Sequence, residues 1–355
     1  HSISVPLRLR LELENRGHSA RIITPLPKVK AETKTIDNVI FVGSSRQIKS
    51  PFHTTSQISA SVNSDLLEKV LDEENFDILH FHEPWVPILS RQILAKSRCA
   101  NVATFHAKLP DTIMSKTIEK VITPYTKSVL RDLDHLTAVS DAAAEYVKTL
   151  TDQPVTIVPN GIDLKIYKAN QLLKAKPRTI LYVGRLEKRK GVKYLLDAFK
   201  LVKQNFAGAK LVIAGEGPDR KKLENYAKLQ NIHNVDFLGQ ISEEKKLELL
   251  STTRVFCSPA IYGESFGIVL LEAMAMGIPV VAGNNPGYSS VLKGRGKISL
   301  VNPKDKKSFA RSIEIMLEDE PIRGLWQDWA KDYVKQFDYK TVVSQYEKLY
   351  KKVLK

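Results

Sequence analysis

The order of short apolar runs and amphipathic helical segments limits the possible folds of this chain more than any other feature of its sequence. A typical unit comprises an apolar run at residues 179–183, a helical segment at 192–202 and a second apolar run at 210–214. The helical segment carries apolar residues at positions i, i+3, i+4 and i+7, which form one face of a helix. Strands that alternate with helices build parallel sheets covered by helices on both faces, so the sequence predicts the α/β class.

This alternation occurs in two series, on either side of a polar stretch at residues 168–178. The strands are predicted at residues 20–24, 76–81, 101–105, 135–139 and 155–158 in the first series, and at 179–183, 210–214, 235–238, 255–258, 279–282 and 298–301 in the second. Each series is typical of a doubly wound, Rossmann-like domain, which binds ligands at the carboxyl ends of its strands. We therefore predict an N-terminal domain over residues 1–168 that faces a C-terminal domain over 169–320 across a cleft. The helical residues 321–355 are predicted to pack across both domains.

The chain begins with a helical pattern rather than with a strand. Residues 2–15 carry apolar side chains at i, i+4 and i+8, and Gly17 is a typical residue just after a helix. A doubly wound domain normally opens with a strand. The pattern predicts that the first strand of the N-terminal domain, and the loop after it, are missing from this sequence.

The positive charge of the chain is concentrated in its second half. The formal net charge is +15, of which residues 171–355 carry +13 and residues 1–170 carry +2. A basic protein can bind nucleic acid, an anionic membrane or a phosphorylated small molecule. No basic segment is interleaved with aromatic residues, which argues against binding of nucleic acid or another polyanion. Polyanion binding is therefore kept only as an alternative function, from a different functional class.

The composition also excludes several kinds of protein. The longest apolar stretch, residues 267–283, is interrupted by Glu272 and is shorter than the roughly 20 residues that a membrane span requires. Cys99 and Cys257 are too few for a disulfide framework or a thiolate zinc site. These features predict a cytoplasmic protein.

Two glutamates eight positions apart follow the predicted strand at residues 255–258. Glu264 is predicted at the start of an apolar helix, with Glu272 two turns later on the same side. Unpaired amide groups at a helix start attract anions such as phosphate, and those of Phe266 to Val269 would serve here. Because buried carboxylates rarely lack a partner, Glu272 within its apolar surroundings indicates a built site.

Two further loops follow predicted strands of the same domain. Residues 184–191 include Arg185 and Lys190, and basic residues at this edge of a sheet suit a diphosphate. A solvated basic turn is an equally good interpretation of this run. Gly215 and Gly217 follow the next strand, but the third glycine of a dinucleotide-binding fingerprint is absent.

Histidines follow or end two predicted strands of the N-terminal domain. His80, His82 and Glu83 lie at the end of one strand and His106 at the end of the next. Imidazoles there could bind sugar hydroxyls or assist proton transfer. Hydrogen-bonded structural histidines are the alternative interpretation, and a zinc site lacks an evident fourth ligand.

Taken together, these motifs resemble the retaining glycosyltransferases of family four, which have the GT-B fold. The resemblance rests on residues 184–191, 215–218 and 264–272, and on the sequences Asn160-Gly161-Ile162-Asp163 and Pro286-Gly287. It covers nearly the whole chain. The resemblance implies a hexosyltransferase that uses a nucleotide sugar as its donor.

The resemblance assigns roles by position in the family's motifs. The catalytic residues that it implies are His106, Glu264, Arg185 and Lys190. The donor-binding residues that it implies are Arg185, Lys190, Gly215, Gly217, Glu264, Phe266, Gly267, Ile268, Val269 and Glu272. The acceptor-binding residues that it implies are His82, Glu83 and His106.

Within this assignment, Arg185 and Lys190 hold the diphosphate, Glu264 contacts the donor sugar and Glu272 contacts the ribose. His106 lies beside the transferred sugar and the acceptor. The family needs no metal and no other cofactor, because cations and a helix N-terminus stabilise the leaving diphosphate. The implied mechanism retains the anomeric configuration, and the leaving phosphate takes the proton of the acceptor hydroxyl.

Residues 82–87 look most like the phosphatidylinositol mannosyltransferase branch. This likeness implies GDP-mannose as donor and a sugar, lipid or glycolipid acceptor such as phosphatidylinositol. Residues 96–131, which carry seven basic and two acidic side chains, would then contact the inner face of an anionic membrane. A glucosyl- or N-acetylglucosaminyltransferase that uses a UDP-sugar is the alternative within the class.

Overall fold

A computed structural model describes residues 4–26, 37–49, 55–59, 64–84, 89–107, 123–169 and 178–355. The chain divides into two compact units. The first comprises His1–Pro159 and Tyr339–Lys355, and the second comprises Asn160–Asp338.

This division differs from the predicted one at both boundaries. The segment after Pro159 belongs to the second unit because Ile162 forms a parallel bridge with Asp338, and its amide donates to the Phe337 carbonyl at 2.8 Å. The C-terminal helices do not form a block of their own. The chain up to Asp338 stays with the second unit, whereas the last helix belongs to the first.

The first unit contains two sheets. Its strands are β1 (Ile22–Leu26), β2 (Val39–Lys49), β3 (Thr55–Ser59), β4 (Ile78–His82), β5 (Ala100–Phe105), β6 (His135–Ala138) and β7 (Val155–Ile157). In the first sheet β1 pairs parallel with β2, and β2 pairs antiparallel with β3. In the second sheet β4, β5, β6 and β7 lie side by side and parallel. The sequence did not predict β2 and β3.

The helices of the first unit are α1 (Ser4–Asn15), α2 (Ser64–Glu74), α3 (Leu89–Leu94), α4 (residues 123–130), α5 (Asp141–Lys148) and, at the end of the chain, α14 (Tyr339–Val353). The predicted N-terminal helix packs against α14, where Leu9 joins a buried cluster with Val158, Val343 and Tyr346. This apolar contact explains why the last helix belongs to the first unit.

The second unit is built around one parallel sheet. Its strands are β8 (Thr179–Val183), β9 (Lys210–Ala214), β10 (Val235–Gly239), β11 (Val255–Ser258), β12 (Val280–Gly283) and β13 (Leu300–Val301). Its helices are α6 (Leu164–Ala169), α7 (Val192–Asn205), α8 (Arg220–Leu229), α9 (Glu243–Ser251), α10 (Ile268–Ala275), α11 (Pro286–Val291), α12 (Lys306–Glu318) and α13 (Glu320–Tyr333). Three strands have the predicted bounds.

The strand order of this sheet, β10-β9-β8-β11-β12-β13, reverses direction between β8 and β11. In a doubly wound sheet, such a reversal opens a crevice at the carboxyl ends of the two strands. The loops after β8 and β11 are those that carry the basic run and Glu264. The topology therefore brings these two predicted motifs to one place.

Candidate functional site

The loop before α10 corrects one prediction about the two glutamates. The helix begins at Ile268, so Glu264 lies in the preceding loop and only Glu272 is on the helix. Gly267 ends the loop with a φ of 111°, a left-handed conformation that favours glycine, and a side chain there would meet the ring of Tyr288. The two glutamates therefore do not share a helix face.

Glu264 binds two cations through one oxygen. Its Oε1 accepts hydrogen bonds from Lys190 Nζ at 2.6 Å and from Arg189 Nη1 at 2.8 Å. Arg189 also donates to the Gly263 carbonyl at 3.1 Å. The Glu264 side chain is 11% exposed. Because the carboxylate is shielded from water, both ion pairs are strengthened. The ion pairs hold the loop after β11 against the loop after β8.

Arg189 and Glu187 are site residues that the sequence analysis missed. The buried Glu187 carboxylate accepts from Arg189 Nε at 3.0 Å, and Arg185 Nε lies 2.9 Å from its other oxygen. The side chain of Arg185 is 49% exposed and that of Arg189 is 21% exposed. The signal for Arg189 was present in the basic run that contains Lys190, but the run alone does not say which side chain turns inward.

The loop after β9 supports the basic loop through backbone contacts. Gly215 has a φ of 140°, and a side chain there would lie 1.9 Å from the Gly184 carbonyl oxygen. A side chain at Gly217 would lie 2.3 Å from the Leu186 carbonyl oxygen, and the Leu186 amide donates to the Glu216 carbonyl at 2.8 Å. Both predicted donor-binding glycines thus allow two strand-end loops to pack backbone to backbone.

The helix α10 begins directly after the loop that carries Glu264. Ile268 and Val269 are its first two residues, where amide groups have no partner within the helix. The side chain of Phe266 is buried and meets the ring of Phe337 edge-on at 5.9 Å. Phe266 therefore serves packing through its side chain, and only its backbone is available for the predicted donor contact.

Glu272 lies in the interior of the second unit with two partners. Its Oε1 accepts from Tyr167 Oη at 2.9 Å and from Lys246 Nζ at 2.8 Å. Lys246 also forms an ion pair with Glu243 at 2.7 Å. Although burial alone would lower the pKa of Lys246, the carboxylates of Glu272 and Glu243 raise it above its ordinary value. The sequence predicts that this buried carboxylate has a partner, and in the structure its charged partner is Lys246.

Three histidines of the first unit lie together, His80 and His82 on β4 and His106 directly after β5. His82 Nδ1 and His106 Nε2 form a hydrogen bond of 2.8 Å, and the ring of His80 stacks on His82 at 4.6 Å. His80 is hydrogen-bonded to Tyr350 Oη at 2.6 Å and to Thr104 Oγ1 at 2.7 Å. His80 is thus a hydrogen-bonded structural histidine, which is the alternative interpretation that the sequence left open.

Burial keeps two of these imidazoles neutral. It lowers the pKa of His80 to about 3 and that of His82 well below its usual value, and neighbouring histidines lower both further. Glu83 Oε1 accepts hydrogen bonds from the backbone amides of His106 and Ala107. The predicted acceptor-binding trio is therefore linked by contacts within the protein.

Some predicted features lie beyond the described residues. These include residues 85–87, which contribute to the likeness to mannosyltransferases, and the middle of the basic stretch, residues 108–122. At its described end, Lys96 pairs with Glu68 at 2.7 Å and Arg98 with Asp72 at 3.4 Å. Across the described ranges, no three histidine, cysteine or acidic side chains form a metal-binding group. None of the helices in these ranges is both long and apolar enough to cross the bilayer.

Comparison with known families accounts for both units. Residues 5–166 match the family described as Glycosyltransferase Family 4, and residues 164–333 match Glycosyl transferases group 1. The chain belongs to glycosyltransferase family 4. This glycosyltransferase is 30% identical to a phosphatidyl-myo-inositol mannosyltransferase of Mycobacterium leprae, over 98% of this chain and 91% of that protein. It is 29% identical to the protein of that name from Mycolicibacterium smegmatis, over 98% and 89%.

Solved structures confirm the predicted GT-B fold of the glycosyltransferase. Sucrose-phosphate synthase from Thermosynechococcus elongatus superposes with a TM-score of 0.75 at 20% identity, over 98% of this chain and 92% of that one. Anabaena HepE in complex with UDP-glucose gives a TM-score of 0.65 at 19% identity, over 80% and 81%. At these identities the likeness establishes the fold. The prediction of an α/β fold is therefore correct, and the family matches and the mannosyltransferase relatives confirm the prediction of a glycosyltransferase.

Proposed function

We propose that this glycosyltransferase moves mannose from GDP-mannose to a hydroxyl of a lipid-linked acceptor such as phosphatidylinositol, with retention of configuration. The observation that carries the proposal is the pairing of Glu264 with Lys190 and Arg189 beside the start of α10. The choice of mannose and of an inositol lipid is supported by the relatives' names, at about 30% identity over nearly the whole chain.

The cations and the helix start suit a nucleoside diphosphate. Lys190 and Arg189 place two positive charges on one carboxylate oxygen, and a diphosphate would offer them further oxygens. Amide groups at the start of α10 add hydrogen-bond donors and the positive end of the helix dipole. Arg185, which is half exposed, is proposed to join them when the donor binds.

Glu264 and Glu272 are proposed to hold the two sugars of the donor. Glu264 would accept hydrogen bonds from hydroxyls of the mannose while Lys190 and Arg189 remain beside it. Both observed contacts of Glu272 use Oε1, so we assign the ribose contact to Oε2. Lys246 places its positive charge 2.8 Å from this buried carboxylate.

The proposed reaction needs no protein nucleophile and no metal. The acceptor oxygen forms a bond to the anomeric carbon as the bond from that carbon to the phosphate oxygen breaks. The proton of the acceptor hydroxyl passes to the leaving phosphate on the same face. Lys190, Arg189 and the amide groups of α10 stabilise the charge that develops on the diphosphate. His106 is proposed to bind the transferred sugar and orient the acceptor hydroxyl.

A transfer assay tests this proposal. The chain is incubated with radiolabelled GDP-mannose and phosphatidylinositol vesicles, with and without a chelator, and the anomeric configuration of the product is read by NMR. We expect an α-mannosyl lipid in both conditions. Glu264→Gln should lower the rate about 10²-fold or more, whereas the exposed Glu248→Gln should not.

A thermal-shift screen tests the donor separately, because a ligand that binds only the folded chain raises its apparent stability. GDP-mannose is expected to stabilise the chain more than UDP-glucose, UDP-N-acetylglucosamine or ADP-glucose. A larger shift with a UDP-sugar would reassign the donor. Strongly salt-dependent binding of nucleic acid, with no response to any sugar nucleotide, would instead support the polyanion alternative. Co-sedimentation with anionic vesicles tests the proposed peripheral location at the inner face of the membrane.

A further inference from the structure

The loop that carries His106 is held by the residues that end the neighbouring strand. Glu83 Oε1 accepts from two consecutive amides, those of His106 and Ala107, and the Glu83 amide donates to the Thr104 carbonyl at 3.0 Å. Glu83 itself adopts a left-handed φ of 55°. That conformation is costly for a residue other than glycine and persists only where the surroundings impose it. The strand end is thus built to aim this carboxylate at the backbone of the next loop.

The ring of His106 is held by a second contact. His82 Nδ1 lies 2.8 Å from His106 Nε2, in a hydrogen bond between two imidazoles. Of these two nitrogens, one must carry the proton and the other must accept it. The bond therefore couples the tautomers of the two rings.

His82 is in turn fixed from its other side. The ring of His80 stacks on it at 4.6 Å, with the two planes inclined by 27°. His80 is anchored by Tyr350 and Thr104, and Thr104 Oγ1 is also within 2.6 Å of Thr137 Oγ1. Burial keeps the His82 ring neutral, so the ring carries a single proton and can be fixed in one tautomer. A rigid support of this kind is what a functional side chain requires.

We propose that His82 and Glu83 are positioning residues for His106, with His82 fixing its ring and Glu83 fixing its backbone. The proposal rests on the proposed function only for its kinetic readout. It replaces direct acceptor binding, the role that the sequence assigned to these two residues. The two roles differ in consequence, because a positioning residue changes the turnover number, whereas an acceptor contact changes mainly the KM for the acceptor.

The structural test observes His106 directly and needs no activity. The full chain is labelled with ¹⁵N-histidine, and long-range ¹⁵N–¹H spectra show which ring nitrogen carries the proton, with His106→Gln identifying the signals. We expect His82→Phe to change the tautomer populations of His106 and His82→Asn, which retains a hydrogen-bonding group, to change them less. His135→Gln, which changes a half-buried histidine of the same sheet that is hydrogen-bonded to Thr156, should leave them unchanged.

Hydrogen exchange tests the backbone clamp. Glu83→Ala should speed exchange of the peptide that contains His106 and Ala107, and Glu83→Gln, which retains an oxygen acceptor, should largely preserve protection. If Glu83→Ala and His82→Phe leave both the exchange and the His106 signals as in the parent chain, the proposal is wrong whatever the enzyme transfers.

Kinetics with GDP-mannose and phosphatidylinositol vesicles complete the test. Misplacing a reacting group by about 1 Å can cost 10²-fold in rate, so His82→Phe and Glu83→Ala should lower kcat by about that factor. The KM for the acceptor should stay within about twofold, and the Asn and Gln variants should recover most of the rate. A raised acceptor KM with unchanged kcat would return both residues to acceptor binding.

Discussion

Lys190 Nζ donates a hydrogen bond of 2.6 Å to Glu264 Oε1, and the two residues lie 74 positions apart in the sequence. Arg189 reaches the same oxygen, so one carboxylate joins the loops after β8 and β11 at the point where the strand order reverses. Each loop is ordered by the charge of the other. The candidate donor site is therefore a preformed charge pair rather than a cluster of unpaired lysines and arginines.

This pairing predicts unequal roles for adjacent basic residues. Arg189→Gln removes one cation from Glu264, one from the buried Glu187 and a hydrogen bond to Gly263. We expect a loss of about 10²-fold in the rate of sugar transfer, measured at saturating acceptor. Lys188→Gln is the matched control, since it removes the same charge from an exposed neighbour in the same turn. Equal losses in the two variants would mean that only the net charge of the loop matters.

The buried pair of Lys246 and Glu272 predicts an effect on stability. Lys246→Met leaves the Glu272 carboxylate in the interior with Tyr167 as its remaining observed partner. Removing one partner of a buried ion pair costs about 3–5 kcal/mol. Urea unfolding, followed by the fluorescence of Trp326 and Trp329 in a Trp85→Phe background, measures the free energy of unfolding of the second unit.

The control for this measurement is the exposed partner of the same lysine. Glu243 is 73% exposed, so Glu243→Gln should cost at most about 1 kcal/mol. A Lys246→Met variant no less stable than Glu243→Gln would show that the Glu272 carboxylate gains another partner or reaches water when its lysine is lost.

Most of the second unit's sheet was predictable because β8, β9, β11 and β12 are largely buried apolar runs. Strands β8, β9 and β11 therefore have the predicted bounds. Strand β2 was missed although its residues 39–42 are an apolar run; its second half, with Ser44, Ser45 and Arg46, lacks such a run and pairs antiparallel with β3. Backbone pairing of that kind leaves little trace in the pattern of side chains.

The site was predictable as a set of loops but not as a set of contacts. Parallel strands bring their carboxyl ends to one edge, which correctly placed Glu264 near the basic run. Whether Arg185 or Arg189 turns toward Glu264 depends on the single 3-10 turn Lys188–Lys190, which hydropathy does not encode. The His82–His106 contact follows from the register that pairs His82 with Thr104, and this register appears only in the folded sheet.

The buried histidines predict that stability depends on pH. The pKa of His80 is about 3 in the folded chain, whereas an unfolded imidazole titrates near 6.5. Between these values the unfolded chain binds a proton that the folded chain does not. The stabilisation is therefore complete above pH 6.5 and is lost as the pH falls toward 3.

The measurement is the free energy of unfolding of the first unit between pH 7 and pH 5. His80→Gln should flatten its slope by up to about 1.4 kcal/mol per pH unit, because one proton fewer is taken up on unfolding. His233→Gln changes an exposed histidine of the second unit and should leave the slope unchanged. An unaltered slope in His80→Gln would mean that water protonates His80 without unfolding.

The packing of Gly215 predicts that a single methyl group disrupts the candidate donor site. Gly215 has a φ of 140°, and in Gly215→Ala the new Cβ would lie 1.9 Å from the Gly184 carbonyl oxygen. The methyl group would therefore force apart the loops after β8 and β9. We expect a loss of more than about 1 kcal/mol in unfolding free energy and a weaker thermal shift with GDP-mannose. Gly208→Ala is the control, because a Cβ there meets no atom within 4 Å. If both alanine variants keep the parent chain's stability and donor response, these loops do not depend on each other.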